Sequence, residues 1–371
     1  MSFAGLIVKN LFRQRVRTGL TVLGIAIGIT TVVALGVITA GFKEASGAFV
    51  QAGGADFAVA QKGASDLTFS AVSDEDRRAI AARPDVARAT GFLLDVADVG
   101  GNPYFFVFGY DPADLADEPL ELVDGRLLAP GAPDEAVLGI EAAADLKKGV
   151  GDAVTLDGTR FRVVGVARFD DDWRSAGALA PLATVQANAS KRDVVTAVHV
   201  TAAQGLDPRE VAAEIERDLP ELAAIVDVAD YAEVDQGFKI MDAAELAISL
   251  LAVGIGAIGV MNTMIMSVFE RTREIGVLRA VGWRGSRILR MILYESLFLC
   301  LVAAVIGIAL GLLASRAVLF VPAVSTFLTP GYPPEVFVRA LAVGVVVALA
   351  GAVYPAARAV RLSPMEALRH E

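Results

Sequence analysis

"LAISLLAVGIGAIGVMNTMIMSVFERTREIGVLRAVGW" runs from Leu246 to Trp283 and decides the fold. Its first part, Leu246–Phe269, carries no charge and is as long as the ~20 residues that cross a bilayer core. Its second part, Glu270–Trp283, is short and heavily charged, and an uncharged run begins again at Ser296. A charged helix between two membrane-length apolar runs implies two spans joined by a helix at the membrane surface.

The same pattern recurs along the chain. Thr18–Phe42, Ser296–Ser315 and Ala340–Ala357 are also uncharged, so four spans are expected. A fifth uncharged run, Ala317–Pro334, holds Pro322, Pro330, Pro333 and Pro334. Proline lacks an amide donor, so this run reads as a loop. With 55% hydrophobic residues the 371-residue chain is too apolar for an ordinary soluble protein. The uncharged first run exceeds the 7–15 residues of a signal-peptide core, which makes it an uncleaved anchor.

Charge orients the spans. Lys9, Arg13, Arg15 and Arg17 precede the first. Arg271, Arg273, Arg279, Arg284, Arg287 and Arg290 lie between the second and third, and Arg358, Arg361 and Arg369 follow the fourth. Basic segments mark the cytoplasmic side, so both termini are expected inside a plasma (inner) membrane and Gly41–Ile240 outside. That outer segment has 18 Lys+Arg against 35 Asp+Glu, net −17, which argues against nucleic acid as a partner. The sole cysteine, Cys300, falls inside the third span, so the outer domain has no disulfide.

These signals give an α-helical integral membrane protein with four transmembrane helices. A mixed α+β extracytoplasmic domain is inserted between helices 1 and 2. The expected boundaries are an amphipathic cytoplasmic helix at 1–17, spans at 18–42, 244–269, 286–315 and 336–357, the outer domain at 43–240, a cytoplasmic helix at 270–285, an outer loop at 316–335 and a C-terminal cytoplasmic helix at 358–371. Phe3, Ile7 and Leu11 opposite Lys9, Arg13 and Arg17 suit a surface helix at the start. Pro355 closes the fourth span, and Ser363, Pro364 and Glu366 form an N-cap set after it.

Within the outer segment, Asp56–Gln61 and the run "VVTAVHVTA" read as strands. Ser73 with Asp76, and Asp207 with Pro208 and Glu210, start helices. "GGNP" and Asp157–Gly158 turn hairpins. In the spans, Gly24 with Gly28 and Gly307 with Gly311 are spaced for close helix packing, within this chain or with another.

Chemistry is sparse. The sequence holds no G-x-x-x-x-G-K-[ST], H-E-x-x-H, C-x-x-C or G-x-S-x-G. His199 alternates with Val198 and Val200 and is expected on the polar face of a strand, with no second ligand for a metal. Asp170–Asp172 reads as a solvated acidic turn rather than a Ca²⁺ site. Glu295, at the border of the third span, is expected to pair with Arg290 or Arg287. No catalytic residue and no metal site emerge.

Four segments carry a family resemblance: "NLFRQRVRTGLTVLGIAIGI", "EAVLGIEAAADLKKGVGDAVTLDGTRFRVVGVAR", "NTMIMSVFERTREIGVLRAVGWRGSRILRMILYES" and "YPAARAVRLSPMEALRHE". In this order they resemble the MacB/LolC/FtsX superfamily of ABC-transporter permeases, over nearly the whole chain. The resemblance implies an outer domain of two lobes, the β-rich inserted one near 122–197, and a dimeric permease, either a homodimer or a pair with a paralogue. It implies that ATP and Mg are used by a cytoplasmic ABC ATPase and that force moves the outer domain, mechanotransmission rather than passage through the membrane. Because the chain begins at the permease and has no P-loop, the ATPase is expected on a separate subunit, and the chain itself is expected to be neither an enzyme nor a cofactor carrier. Export or extraction of an amphiphilic substrate (lipid, lipoprotein, peptide or drug) leads. A transmitter that regulates a cell-wall hydrolase is the alternative. The residues expected to couple to the ATPase are Glu270, Arg271, Arg273, Glu274, Ile275, Gly276, Leu278 and Arg279. Glu270 and Glu274, one turn apart, would face one way, with Ile275 and Leu278 as the apolar patch that docks in a groove.

Overall fold

The computed structural model describes residues 15–64, 67–118, 120–227, 230, 236–320 and 329–361. The expected amphipathic N-terminal helix, the N-cap set at Ser363–Glu366 and residues 321–328 of the proline-rich loop lie outside them. The chain divides into two compact units. One comprises 1–40, 243–317 and 330–371, the other 41–242 and 318–329. Four long apolar helices and an α/β domain inserted after the first of them make up the fold, as the charge and hydropathy pattern implied.

Helix α1 (Arg15–Val50) has 36 residues. The α/β unit then follows in the order β1 (Phe57–Gln61), β2 (Val72–Ser73), α2 (Asp74–Ala81), β3 (Val86–Val99), β4 (Asn102–Tyr110), β5 (Glu121–Gly125), β6 (Glu135–Gly139), α3 (Ile140–Leu146), β7 (Ala153–Leu156), β8 (Thr159–Arg168), α4 (Asp172–Ser175), β9 (Ala178–Pro181), α5 (Leu182–Asn188), β10 (Val194–Val195), β11 (Ala197–Ala202), α6 (Pro208–Asp218) and β12 (Leu222–Ile225). One sheet runs β12-β1-β11-β3-β4-β9-β6-β8-β5, with β7 also on β8. Its pairs are antiparallel except β4–β9 and β6–β8.

Local chemistry explains the elements. Gly100 and Gly101, both with positive φ, make the two-residue turn between β3 and β4, and Asp157–Gly158 do the same between β7 and β8, the primed geometry that matches strand twist. Ser73 Oγ accepts from the Asp76 amide at 3.0 Å to cap α2, and Asp207 accepts from Arg209 to cap α6. Apolar clusters lie at both ends of the sheet. Phe57, Val59, Ile80, Val198 and Ile215 meet around β1 and β11, and Phe105, Val107, Leu138 and Phe161 around β4, β6 and β8. The inserted lobe expected near 122–197 is continuous with the rest, because β9 pairs with β4 within the one sheet.

Two expectations in this unit are corrected. His199 is not on a polar face: it is 4% exposed, sits 4.6 Å from the Phe92 ring and reaches the Phe49 carbonyl through Nε2 at 3.1 Å. Both faces of β11 are covered, so alternation along it does not separate buried from exposed residues. Burial and the nearby Arg174 cation push its pKa down to about 3, leaving it neutral. Asp170–Asp172 is only partly the solvated turn expected: Asp170 and Asp172 are exposed, but Asp171 is not. Asp171 is buried, caps α4 and meets Arg174 Nε at 2.5 Å. Asp170 meets Arg174 Nη2 at 2.6 Å, and Glu118 also pairs with this fully buried guanidinium.

The remaining helices are α7 (Gln236–Glu270), α8 (Thr272–Ala280), α9 (Gly285–Val318) and α10 (Pro334–Arg361). Helices α7, α9 and α10 have 35, 34 and 28 residues; α7 starts eight residues before the expected span, and α9 and α10 pass theirs by one to four residues at each end. At 1.5 Å per residue each exceeds the ~30 Å bilayer core. Pro355 does not end the fourth span. It lies inside α10, buried with Ala356 and Ala359, and neighbouring helices make such an interior proline tolerable in a membrane protein.

In the helical unit, Ile29, Val33, Val260, Ile288, Leu299, Ala340 and Val347 belong to one apolar core. A Cβ on Gly307 would lie 2.8 Å from Ile29 Cβ, and one on Gly311 2.7 Å from Val33 Cβ, so these two glycines let α9 close on α1 of the same chain. Gly28 faces Ala252 of α7, whereas Gly24 meets nothing within 4 Å. Across the same unit, Thr21 and Thr263 share a 2.6 Å hydrogen bond, and Ser296 donates to the Ala348 carbonyl at 3.0 Å.

Candidate functional site

The charged segment of the opening stretch forms a corner. Helix α7 ends at Glu270. Arg271, at φ −108 and ψ 14, breaks the run, and α8 follows. The Thr272 hydroxyl donates to the last free carbonyls of α7, Val268 at 3.1 Å and Phe269 at 2.9 Å. At the far end Gly282 has φ +97. Its amide bonds to the Arg279 carbonyl and that of Trp283 to the Leu278 carbonyl, both at 3.0 Å. That is a Schellman stop, which needs a residue at ease in the left-handed region.

This corner redistributes the expected coupling residues. Glu270 belongs to α7, not α8, so it does not share a helix face with Glu274. It pairs instead with Arg17 of α1 at 3.3 Å, a solvent-facing contact of the kind worth ~0–1 kcal/mol. Ile275 is 2% exposed and is part of the unit's own core, with Thr272 and Gly276 buried beside it. It anchors α8 and is not free to dock. Leu278 and Arg279 are half-buried. The open face carries Arg273, Glu274, Val277, Ala280 and Val281, with Val277 47% and Val281 76% exposed.

Arg271 ties the corner inward. Its Nη1 donates to Glu295 Oε2 of α9 at 3.1 Å and its Nε to Glu274 Oε2 at 3.2 Å. Glu295 therefore pairs with Arg271 rather than with Arg290 or Arg287, and is 4% exposed. The two arginines expected for it lie on its own helix, but Glu295 faces inward while Arg287 and Arg290 are exposed. Arg358 adds a cation–π contact over Phe269 at 4.8 Å. The corner is thus linked to α1, α9 and α10.

Sequence reasoning missed Arg174, whose partner Glu118 is distant in the chain. A signal was present, since Asp170 and Asp171 stand four and three residues before it. Among the described residues no group of three His, Cys, Asp or Glu is placed to hold a metal ion.

A model of the MacB-like periplasmic core domain matches residues 18–218, and one of the FtsX-like permease C-terminal domain matches 246–364. The macrolide export ATP-binding/permease protein MacB of Bdellovibrio bacteriovorus is 26% identical over 404 residues, covering 98% of this chain and 61% of that protein. MacB of Escherichia coli (strain K12) is 28% identical over 398 residues, covering 98% and 60%. The chain therefore spans about three fifths of the length of these relatives. The crystal structure of the periplasmic region of MacB from Actinobacillus actinomycetemcomitans aligns at 15% identity and a TM-score of 0.38, covering 46% of this chain and 88% of that one.

Proposed function

This chain belongs to the MacB/FtsX-like family of ABC-transporter permeases, and we propose that it acts as the membrane part of a transporter driven by mechanotransmission. An ABC ATPase outside these 371 residues binds ATP and Mg and docks on α8. The force moves the extracytoplasmic domain, which exports or extracts an amphiphilic substrate: a lipid, lipoprotein, peptide or drug. Both termini and α8 lie on the cytoplasmic side of a plasma (inner) membrane in this reading, with the basic segments facing the ATPase.

The observation that carries the proposal is the two-sided build of α8. One side, Thr272, Ile275 and Gly276, is buried in the unit's core. The other leaves Val277 and Val281 exposed beside Arg273 and Glu274. An exposed apolar pair flanked by both charge signs suits a groove on a partner, where the apolar residues anchor and the charges set register. A second permease copy, identical or paralogous, completes the assembly. The stretch of α1 with Leu20, Leu23 and Ile27 exposed, beside Gly24, where an added Cβ would meet no described residue within 4 Å, supports a helix partner there.

The test is purification of the full chain in mild detergent with identification of the ATPase it retains, then comparison with Val277→Asp. The proposal expects an ABC ATPase in the wild-type complex and a loss of it, or of its coupling, in the variant. Retention of a cell-wall hydrolase without any ATPase would refute it.

A further inference from the structure

Arg287, Arg290, Tyr294, Phe298, Leu301 and Val305 recur three or four residues apart along α9, which places them on one stripe of the helix. All six are solvent-exposed or nearly so: both arginines are exposed, Tyr294 is 51% exposed, Phe298 42%, Leu301 49% and Val305 61%. Among the described residues neither arginine meets a carboxylate. The inward carboxylate of the same helix, Glu295, is taken by Arg271. Trp283, just before the helix, stacks under Arg287 with the guanidinium carbon 4.4 Å from the ring centre, which fixes one of the two cations in place.

Read from the start of the helix inward, the stripe goes from two cations with no carboxylate partner among the described residues to an amphipathic ring to purely apolar side chains. That is the order of a phospholipid: headgroup, interface, acyl chain. Tyrosine and tryptophan favour the headgroup level, and basic residues just outside a span attract anionic headgroups. We propose that this stripe is a binding site for a phospholipid with an anionic headgroup, its phosphate held by Arg287 and Arg290 and one acyl chain lying along Phe298, Leu301 and Val305. The inference rests on the membrane-spanning reading of α9 and not on the transport proposal. A general positive field on this side of the membrane makes a different prediction, because it depends on how many arginines there are and not on where they sit.

The test uses the full chain in phosphatidylcholine vesicles carrying phosphatidylglycerol with brominated acyl chains, and reads quenching of tryptophan fluorescence. The chain has two tryptophans. Trp173 is buried in the α/β unit, so quenching by a brominated chain reports on Trp283. Quenching should favour brominated phosphatidylglycerol over brominated phosphatidylcholine, and high salt should weaken the preference. Arg287→Gln/Arg290→Gln should lower it about 30-fold and Arg290→Gln alone about fivefold, the factors for ~1 kcal/mol per arginine. Arg273→Gln/Arg361→Gln removes the same charge elsewhere and should leave it intact. No preference in the wild-type protein, or equal loss in both double variants, overturns the site. Unchanged quenching by brominated phosphatidylcholine certifies each variant's insertion. If the double variant does not insert, the single one decides.

Discussion

Replacing Arg271 by methionine leaves the Glu295 carboxylate buried at 4% exposure with its cation gone. Removing one partner of a buried pair costs ~3–5 kcal/mol, because the remaining charge has lost its compensation. Replacing both by apolar residues of similar volume removes that penalty, so Arg271→Met/Glu295→Met should lie within ~1–2 kcal/mol of the wild type. The pair therefore predicts a large coupling energy in a double-mutant cycle, well outside the ~0.5 kcal/mol by which independent sites add. The Arg17–Glu270 contact, 3.3 Å long and about a third exposed on each side, is the internal control. Its cycle should give no more than ~1 kcal/mol. The assay is denaturant unfolding of the full chain in mixed micelles, followed by the fluorescence of Trp283, which packs against the core of the helical unit. Costs for Arg271→Met below ~1 kcal/mol, or a double variant as unstable as the sum of the single ones, would show that Arg271 is not the structural tie of the corner.

Three further outcomes follow from the geometry. Gly311→Leu should separate α9 from α1, because even a Cβ there would lie 2.7 Å from Val33 Cβ; a cost of ~1–3 kcal/mol is expected, while Gly24→Leu, in open space, should cost little in the isolated chain. His199 has its pKa lowered from 6.5 to about 3 in the folded state, so the unfolded chain binds the extra proton between those values. Stability from this group is complete above pH 6.5 and falls as pH drops toward 3, by up to ~1.4 kcal/mol per unit; His199→Gln should flatten unfolding free energy against pH over that window. Glu135 is held down to about 2 by the Arg126 hydrogen bond, so its contribution is present above pH 4.5 and lost as pH falls through 2; Arg126→Gln should bring the carboxyl back toward 4.5 by NMR titration.

What the sequence made legible was local. The two hairpin turns and the caps at Ser73 and Asp207 each depend on residues within a few positions, and the structure places all of them as read. The four apolar runs were equally plain, because a bilayer demands uninterrupted apolar length. Long-range choices were not legible. Glu295 pairs with a residue across a helix corner, and nothing in its neighbourhood in sequence ranks Arg271 above Arg287. His199 looked half-exposed because alternation assumes one wet face, and the last turn of α1 within the α/β unit, with Phe49, covers the other. Ile275 looked like an anchor for a partner because spacing along α8 shows which residues share a face, but not which face the protein itself buries.

Force passing from α8 to the outer domain would show most directly as a change of distance. On a Cys300→Ala background, spin labels at Tyr104→Cys in β4 and Leu313→Cys in α9, both exposed, report on the two units of the full chain assembled with its co-purified ABC ATPase. Mechanotransmission predicts that the distance distribution shifts between the nucleotide-free and ATP-bound states and that Val277→Asp abolishes the shift. An unchanged distribution in the wild-type complex, while its ATPase turns over normally, would contradict mechanotransmission.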